Sequence, residues 1–350
     1  MPSLAQEVHV VIGVDTHKHT HTAAVVIAAT GAAVAELTVT TDAGGYRDLL
    51  AWALAHAQGS RLWSVEGAGG YGAGLTRFLT AAGERVAELD RPVRAARRNG
   101  AKSDSLDAVR AAREALSRAS LAEPKADGPR AQLAVLMAAR RSAVEAATLA
   151  QHQVHALVIA APETLRTVLR DRSGTTTIDL AARLRDRPAW DAQTRTTAAV
   201  LRSLARRVLA LRTEAREHEH AIDAVVRAWR PDLLDQPGIG TIVAAQVLIA
   251  WSHPGRVRSE AAFAMLSGTA PIPASSGLTT RHRLNRSGDR QLNRALHVIA
   301  VSRTRFDDRT RDYVQRRRTE GKTDREIRRC LKRYIARDLF RQLEHRTLPA

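Results

Sequence analysis

Four carboxylates, Asp15, Glu66, Asp104 and Asp107, stand where phosphoryl-transfer chemistry would need them. Asp15 ends the apolar run Val8-His9-Val10-Val11-Ile12-Gly13-Val14, and Glu66 ends a second, shorter run, Leu62 to Val65. In open α/β sheets the carboxyl ends of strands are where sites assemble. Asp104 and Asp107 lie three apart in Lys102-Ser103-Asp104-Ser105-Leu106-Asp107-Ala108, a spacing that puts both on one face of a helix. Like charges on one helix face cost stability unless something positive lies between them. A divalent cation would relieve that cost, and Mg²⁺ or Mn²⁺ takes oxygen ligands of this kind. Residues at a helix start are also favoured by the helix dipole alone, so the pair by itself is not decisive. The specificity lies in the order: strand-end Asp, strand-end Glu, then an i,i+3 Asp pair on a late helix.

A second group of residues lies far along the chain. Gly268-Thr269-Ala270-Pro271-Ile272-Pro273-Ala274-Ser275-Ser276-Gly277 reads as a loop whose serines are sterically free. Arg281, Arg283, Arg286 and Arg290 follow, with Gly288 and Asn293, and arginines offer bidentate donors to a phosphate. A serine is a nucleophile only when its proton is taken or its pKa lowered, and no local histidine–acid pair or Gly-x-Ser-x-Gly string supplies a hydrolase triad. Upstream, Pro237-Gly238-Ile239-Gly240, between a helical Leu233-Leu234 and an apolar helix over Val243–Trp251, has the form of a helix-hairpin-helix turn. There Gly238 and Gly240 would let backbone N–H groups approach a phosphate; a tight turn between core helices is the other reading. His17, His19 and His21 alternate at a strand start without a cysteine or a helical i,i+4 histidine pair, so they read as solvated side chains; Lys18 and Lys102 can reach a phosphate.

The elements that position these residues follow from periodicity. Residues 8–15, Ala23 to Ala28 and Ala33 to Val39 read as three strands, with a hairpin signal at Thr30-Gly31. Asp42 can cap a helix reaching about Ala57, a strand runs from Leu62, a helix starts near Tyr71, a strand covers Arg85–Leu89 and a helix covers Ser103–Leu116. Three meandering strands followed by helix–strand alternation is the order of an α/β RNase H-like (RuvC-like) fold, predicted for residues 1–118. Ala119 to Pro129 reads as a linker. Residues 119–230 read as linker plus coiled-coil helices, with a weaker seam over about Arg130 to Ile159. A heptad seam follows at Leu201, Leu204, Val208, Leu211, Ala215, His218, Ile222, Val225 and Trp229. A helical hairpin and an intermolecular coiled coil both satisfy that pattern. Residues 231–350 read as a third, mainly α region whose last helices carry Arg316, Arg317, Arg318, Arg328, Arg329, Lys332 and Arg333, either a solvated face or phosphate contacts.

The bulk composition agrees with a nucleic-acid partner. The 350 residues carry Lys+Arg 54 against Asp+Glu 36, a formal net charge of +18, which favours a polyanion, although an arginine- and alanine-rich coding bias would also raise it. Only 4% of residues are aromatic, which leaves few stacking platforms for single-stranded bases. The single cysteine, Cys330, excludes an internal disulfide framework and a cysteine-based zinc site and fits a reducing cytoplasm. No signal-like start and no membrane-length apolar run are seen, so an intracellular, membrane-free protein is expected.

Taken in order, these residues resemble the DEDD/serine transposases of insertion sequences (the "IS one-ten" family), also described as bridge-RNA-guided recombinases. The resemblance spans nearly the whole chain and rests on five features. They are Ile12-Gly13-Val14-Asp15 with Lys18, Val65-Glu66, Lys102-Ser103-Asp104 with Asp107-Ala108, Pro237-Gly238-Ile239-Gly240, and Pro271 to Ser276-Gly277 with Gly288 and Asn293. It implies that Asp15, Glu66, Asp104 and Asp107 bind Mg²⁺ (or Mn²⁺) in a RuvC-like domain. It implies that Ser276, or its neighbour Ser275, is the nucleophile of a transposase domain that forms a phosphoserine link to DNA. It further implies a dimer or tetramer joined by the coiled coil, with the acidic domain of one subunit facing the serine domain of another. An element-encoded structured RNA would pair with target and donor DNA, with the protein in the cytoplasm on the nucleoid. A metal-only RuvC-type nuclease and a non-catalytic nucleic-acid-binding relative are the competing readings.

Overall fold

The computed structural model describes residues 4–89, 103–118, 120–274 and 282–345. The chain divides into two units, Met1–Lys125 and Ala126–Ala350. Lys102, Ser275, Ser276, Gly277 and Arg281 lie outside the described residues.

The first unit is built on a five-stranded mixed sheet. After the short helix α1 (Leu4–Glu7) come β1 (Val10–Thr16), β2 (Thr20–Ile27), β3 (Ala33–Thr40), α2 (Ala43–His56), β4 (Arg61–Glu66), α3 (Ala73–Ala81), β5 (Val86–Leu89) and α4 (Asp104–Ser117). The strand order is β3-β2-β1-β4-β5. β1, β2 and β3 pair antiparallel as a meander, whereas β4 joins β1 and β5 joins β4 in parallel. This is a mixed α/β domain consistent with the predicted RNase H-like start. The hairpin at Thr30-Gly31 holds, with Gly31 at positive φ. Asp42 caps α2 through Gly44 and Gly45, as its position predicts.

Alternation along the strands sorts side chains into two cores. Val10, Ile12 and Val14 of β1 and Trp63 and Val65 of β4 pack with Leu49, Leu75 and Leu79 of α2 and α3. The other face receives Val11, Leu62 and Ala87 and is covered by Ala108, Val109, Ala112 and Ala115 of α4. Each large apolar side chain fully buried here, such as Ile12 or Trp63, contributes about 1.5–3 kcal/mol. α4 sits unusually close to β1, because a Cβ on Gly13 would lie 2.0 Å from the Ala108 carbonyl oxygen. Only glycine permits that approach. Ser64 extends the same contact by donating its hydroxyl to the Ala111 carbonyl at 3.1 Å.

The second unit is almost wholly helical. Two long helices, α5 (Pro129–Ala160) and α8 (Ala192–Trp229), form a hairpin within the chain, with α6 (Glu163–Leu169) and α7 (Gly174–Ala182) in the connection. Ala150, Val154 and Val158 of α5 meet Ala198, Leu201, Ala205 and Val208 of α8 in a core that α6 and α7 complete. Of the heptad seam, Leu201, Val208, Ala215 and Ile222 are buried, while Leu204, Leu211, His218 and Val225 are only half-buried. Arg140 donates to Glu219 at 2.9 Å and Arg212 to Gln151 at 2.7 Å, which fixes the register of the hairpin.

The remaining helices are α9 (Thr241–Trp251), α10 (Glu260–Leu266), α11 (Arg290–Phe306), α12 (Asp308–Thr319) and α13 (Asp324–His345), with a two-stranded ribbon of β6 (Ile272–Pro273) and β7 (His282–Arg283). They share a core with Leu133 and Met137 of α5 and Ile222 and Val226 of α8. Leu233 and Leu234 belong to a single 3-10 turn and its cap rather than to a full helix, because Pro231 starts the turn and Pro237 follows closely. A buried bidentate ion pair anchors α13: Arg230 Nε donates to Asp232 at 2.8 Å, and Gln342 Nε2 to the same carboxylate at 2.8 Å. Among the described residues no helix is long and apolar enough to cross a membrane.

Candidate active site

The face of the sheet covered by α4 carries the acidic residues. Val11, Gly13 and Asp15 alternate onto this face from β1, and Leu62, Ser64 and Glu66 do so from β4. The parallel register Gly13 with Ser64 and Val14 with Val65 therefore sets Asp15 and Glu66 side by side at the carboxyl ends of the two central strands. The Thr16 hydroxyl ties those ends together by donating to the Glu66 carbonyl at 2.8 Å. Asp15 is buried and Glu66 half-buried.

α4 begins over the same strand ends. Ser103 caps it, accepting from the Leu106 N–H, so Asp104 and Asp107 occupy the first turn as their spacing predicts. The close packing at Gly13 sets how near that turn comes to β1. The outcome is a convergence of Asp15, His17 and Asp104, each offering a ligand atom within 4.8 Å of the others. His17 Nδ1 lies 3.9 Å from Asp15 Oδ2 and 3.6 Å from Asp104 Oδ2.

The reading of the histidines as solvated side chains fits the exposure of His17 but not its place beside two of the predicted acids. His17 leaves β1 two residues after Asp15, and the turn to β2 carries it back over the strand end. The i+2 spacing from a strand-end aspartate was the available signal; what hid it was the absence of a cysteine or a second helical histidine. His21 is different: it is buried in β2, stacks on Tyr46 at 5.9 Å, and burial pushes its imidazole below the ordinary histidine value. Lys18 is exposed in the turn beside His17.

Each carboxylate of the pair has its own neighbour: the His17 ring nitrogen lies 3.6 Å from Asp104, and Asp107 accepts from Arg110 at 2.7 Å. Two carboxylates and an imidazole nitrogen within one cation's reach suit Mg²⁺ or, better, Mn²⁺, which accepts nitrogen more readily. The donor set fits a hard divalent ion and contains no thiolate.

The second unit places its predicted residues less tightly. Arg283, Arg286 and Arg290 are all exposed, on β7, after it, and at the first position of α11. Gly238 has φ +79°, and a Cβ there would meet Ser302 and the Ile299 carbonyl of α11 at 3.1–3.2 Å, so core packing accounts for it. Gly240 stands at the N-terminus of α9 with open space around it and no side-chain cap.

Comparison with known proteins gives two family matches along the chain. Residues 12–161 match the DEDD_Tnp_IS110 transposase family, and residues 231–315 match the Transposase IS116/IS110/IS902 family. The chain is 35% identical over 129 residues to the "Insertion element IS900 uncharacterized 42 kDa protein" of Mycobacterium paratuberculosis, covering 36% of this chain and 32% of that protein. It is 33% identical over 127 residues to the "Insertion element IS110 uncharacterized 43.6 kDa protein" of Streptomyces coelicolor, covering 35% and 31% respectively. The matched stretch thus spans about a third of each relative. Two successive family matches that bracket the acidic strand ends and the serine-loop region, together with the two insertion-element relatives, lead to one conclusion: the chain belongs to the IS110 family of transposases.

Proposed function

We propose that the protein is a DNA transposase, or site-specific recombinase, that cleaves and rejoins strands with a metal-bound acidic site and a nucleophilic serine. The observation that supports this most is the convergence of Asp15, His17 and Asp104 at the carboxyl end of the central strand of a transposase-family domain. Asp15, Glu66, Asp104 and Asp107 would hold a divalent cation in a RuvC-like fold, with His17 alongside. When bound, the cation supplies charge stabilisation at a transferring phosphoryl group.

The protein's own part is then nucleophilic. Ser276, preceding Gly277, attacks a DNA phosphorus; an Oγ–P bond forms as one P–O bond to a sugar breaks. The serine proton ends on the departing sugar hydroxyl. Rejoining is the reverse step with a different strand's hydroxyl. Arg281, Arg283, Arg286 and Arg290 clamp phosphates, Lys18 and Lys102 add further cationic contacts, and the α9 N-terminus at Gly240 offers backbone N–H groups. Protomers assemble as a dimer or tetramer through the half-buried side of the α8 seam, so that the acidic site of one copy and the serine of another act on one phosphodiester. An element-encoded RNA guides the choice of DNA, and the work is done in the cytoplasm on nucleoid DNA.

The test is a supercoiled-plasmid assay with element ends, the flanking structured RNA and Mg²⁺ or Mn²⁺. The expected result is a covalent protein–DNA adduct, absent in Ser276→Ala. Asp104→Asn and Asp107→Asn each abolish strand cleavage while leaving DNA binding largely intact. Cleavage that persists without adduct in Ser276→Ala but fails in Asp15→Asn identifies a metal-only nuclease instead. Binding without cleavage by the fully supplied wild-type complex removes the enzymatic reading altogether.

A further inference from the structure

The basic helices of the second unit are not uniformly basic once their ion pairs are assigned. On α12, Arg317 pairs with Glu320, and Arg318 donates to Asp324 at 2.9 Å. On α13, Arg333 donates to Glu260 at 3.0 Å. Arg328, Arg329 and Lys332 make no ion pair within 4 Å among the described residues, although Asp324 lies in the field of Arg328 and Glu326 in that of Arg329. The three cations lie at i, i+1 and i+4 on α13, so Arg328 and Arg329 both flank Lys332 one turn away. Arg328 Nε donates to the Asp324 carbonyl at 3.3 Å.

Lys332 is the unusual member. Its ammonium is half-buried and donates to the Asn293 side-chain oxygen on α11 at 2.6 Å. Asn293 is held from its other end, because its amide nitrogen donates to the Ser267 carbonyl at 2.6 Å. The ammonium is therefore fixed in direction, at the root of the connection that rises into the β6–β7 ribbon. Asp289 closes that root by donating its N–H to the Leu266 carbonyl at 2.7 Å. His297, one turn beyond Asn293, faces the same cations: burial, then Lys332 and Arg328, push its imidazole below the ordinary histidine value. Burial and then Arg329 likewise push the Lys332 ammonium down.

The carboxylates of this region make their hydrogen bonds elsewhere: Asp289 caps α11 through Gln291 and Leu292, Glu326 accepts from Thr323, and Asp324 accepts from Arg318. A half-buried ammonium with cationic neighbours and an amide as its aimed partner is a costly arrangement without an anion. A lysine acts on phosphate as a point charge, and an oriented one loses less freedom when it binds.

We propose that Lys332, aimed by Asn293 and flanked by Arg328, Arg329 and His297, seats a backbone phosphate of duplex DNA on the α11–α13 face. The inference rests on the reading of DNA as the substrate and adds a specific anchoring point to it. The seat uses none of the acidic residues of the first unit and none of Arg283, Arg286 and Arg290. It positions DNA beside the ribbon and carries no base specificity.

The test uses the full chain in EDTA, so that strand cleavage plays no part, with a fluorescein-labelled 40-base-pair duplex of arbitrary sequence titrated across salt concentrations. One lost phosphate contact lowers the slope of log K against log salt by about 0.9. The expected result is that drop in Lys332→Met, with roughly three- to ten-fold weaker binding near physiological salt. Lys332→Arg retains most of the slope, and Arg318→Gln, whose guanidinium is already paired, leaves it unchanged. Melting temperatures for each variant confirm folding, and Lys332→Gln serves if Lys332→Met melts early. An unchanged slope in both folded neutral variants, with wild type binding normally, overturns the phosphate seat alone. Failure of wild type to bind the duplex overturns the DNA reading and the seat with it. A loss confined to a duplex RNA of equal length overturns the assignment to DNA.

Discussion

The two units place chemistry in opposite ways. In the first, every element of the acidic cluster is positioned by backbone geometry: parallel register sets Asp15 beside Glu66, and a capped helix start delivers Asp104. In the second, the groups of interest are positioned by side chains reaching across helices, as Lys332 does to Asn293 and Asn293 to Ser267. A site built on strand ends tolerates little movement of its frame, whereas one built on side-chain bridges depends on each bridge. The difference also sets which single changes should matter most in each unit.

The largest effect is expected in the first unit. Asp15→Asn keeps the shape of a buried strand-end residue but removes the charge that the cluster converges on. Strand cleavage should fall by at least roughly a thousand-fold, about 4 kcal/mol of barrier, while DNA affinity measured in EDTA changes little. An equal loss of affinity would show that Asp15 holds the domain together rather than serving the chemistry, and the contrast between the units would collapse.

The second unit should respond most to the loss of a bridge. Asp232→Ala leaves the Arg230 guanidinium buried, over the Trp251 ring at 5.9 Å, with its bidentate partner gone. Stranding a buried charge costs about 3 kcal/mol. Denaturant unfolding should show that loss, and hydrogen exchange should place it in α13 and α9. Protection lost equally in the sheet of the first unit would mean the two units do not unfold separately.

A smaller and more diagnostic effect is expected at Gly13. A Cβ there collides with the Ala108 carbonyl and with the Ala112 backbone, so Gly13→Ala must push α4 away from β1. The stability cost is about 2 kcal/mol. Because Asp104 rides on that helix, Mn²⁺ affinity read by electron paramagnetic resonance should fall together with stability. Full metal affinity in a destabilised variant would detach α4 from the site.

The same contrast explains what was legible beforehand. The strands, the cap at Asp42 and a helix starting near Asp104 follow from local periodicity and capping rules, and the first unit reproduces them. The rest depends on contacts between distant residues that carry no local signature. His17 joins the acids only because a turn folds it back over the strand end. The helices α6 and α7 stand in a connection whose apolar residues are too short a run to declare a period, and Arg230 with Asp232 reads as an ordinary charged pair before a proline. The intrachain pairing of α5 with α8 was one of two arrangements the heptads allowed. Ser276 and Arg281 lie outside the described residues, and their roles are read from sequence and family.

The smallest expected effect concerns a network in the first unit that does behave like the bridges of the second. The Glu84 carboxylate accepts from Arg61 Nε at 2.8 Å and from Trp63 Nε1 at 2.8 Å, and its side chain is only 10% exposed. The hydrogen bond from Arg61, partly offset by burial and reinforced by Trp63, holds this carboxyl below the ordinary glutamate value. A lowered value in the folded state means that the unfolded chain binds the proton more readily. The stability contributed is therefore complete above the ordinary glutamate value and is lost as pH falls through the lowered one. Between pH 7 and pH 3 the wild type should lose more stability than Glu84→Gln, with hydrogen exchange at the Trp63 and Val86 amides reporting the place. Equal acid sensitivity in the two proteins would mean that β4 and β5 are held by backbone pairing alone, and the first unit would then be the purely backbone-built half throughout.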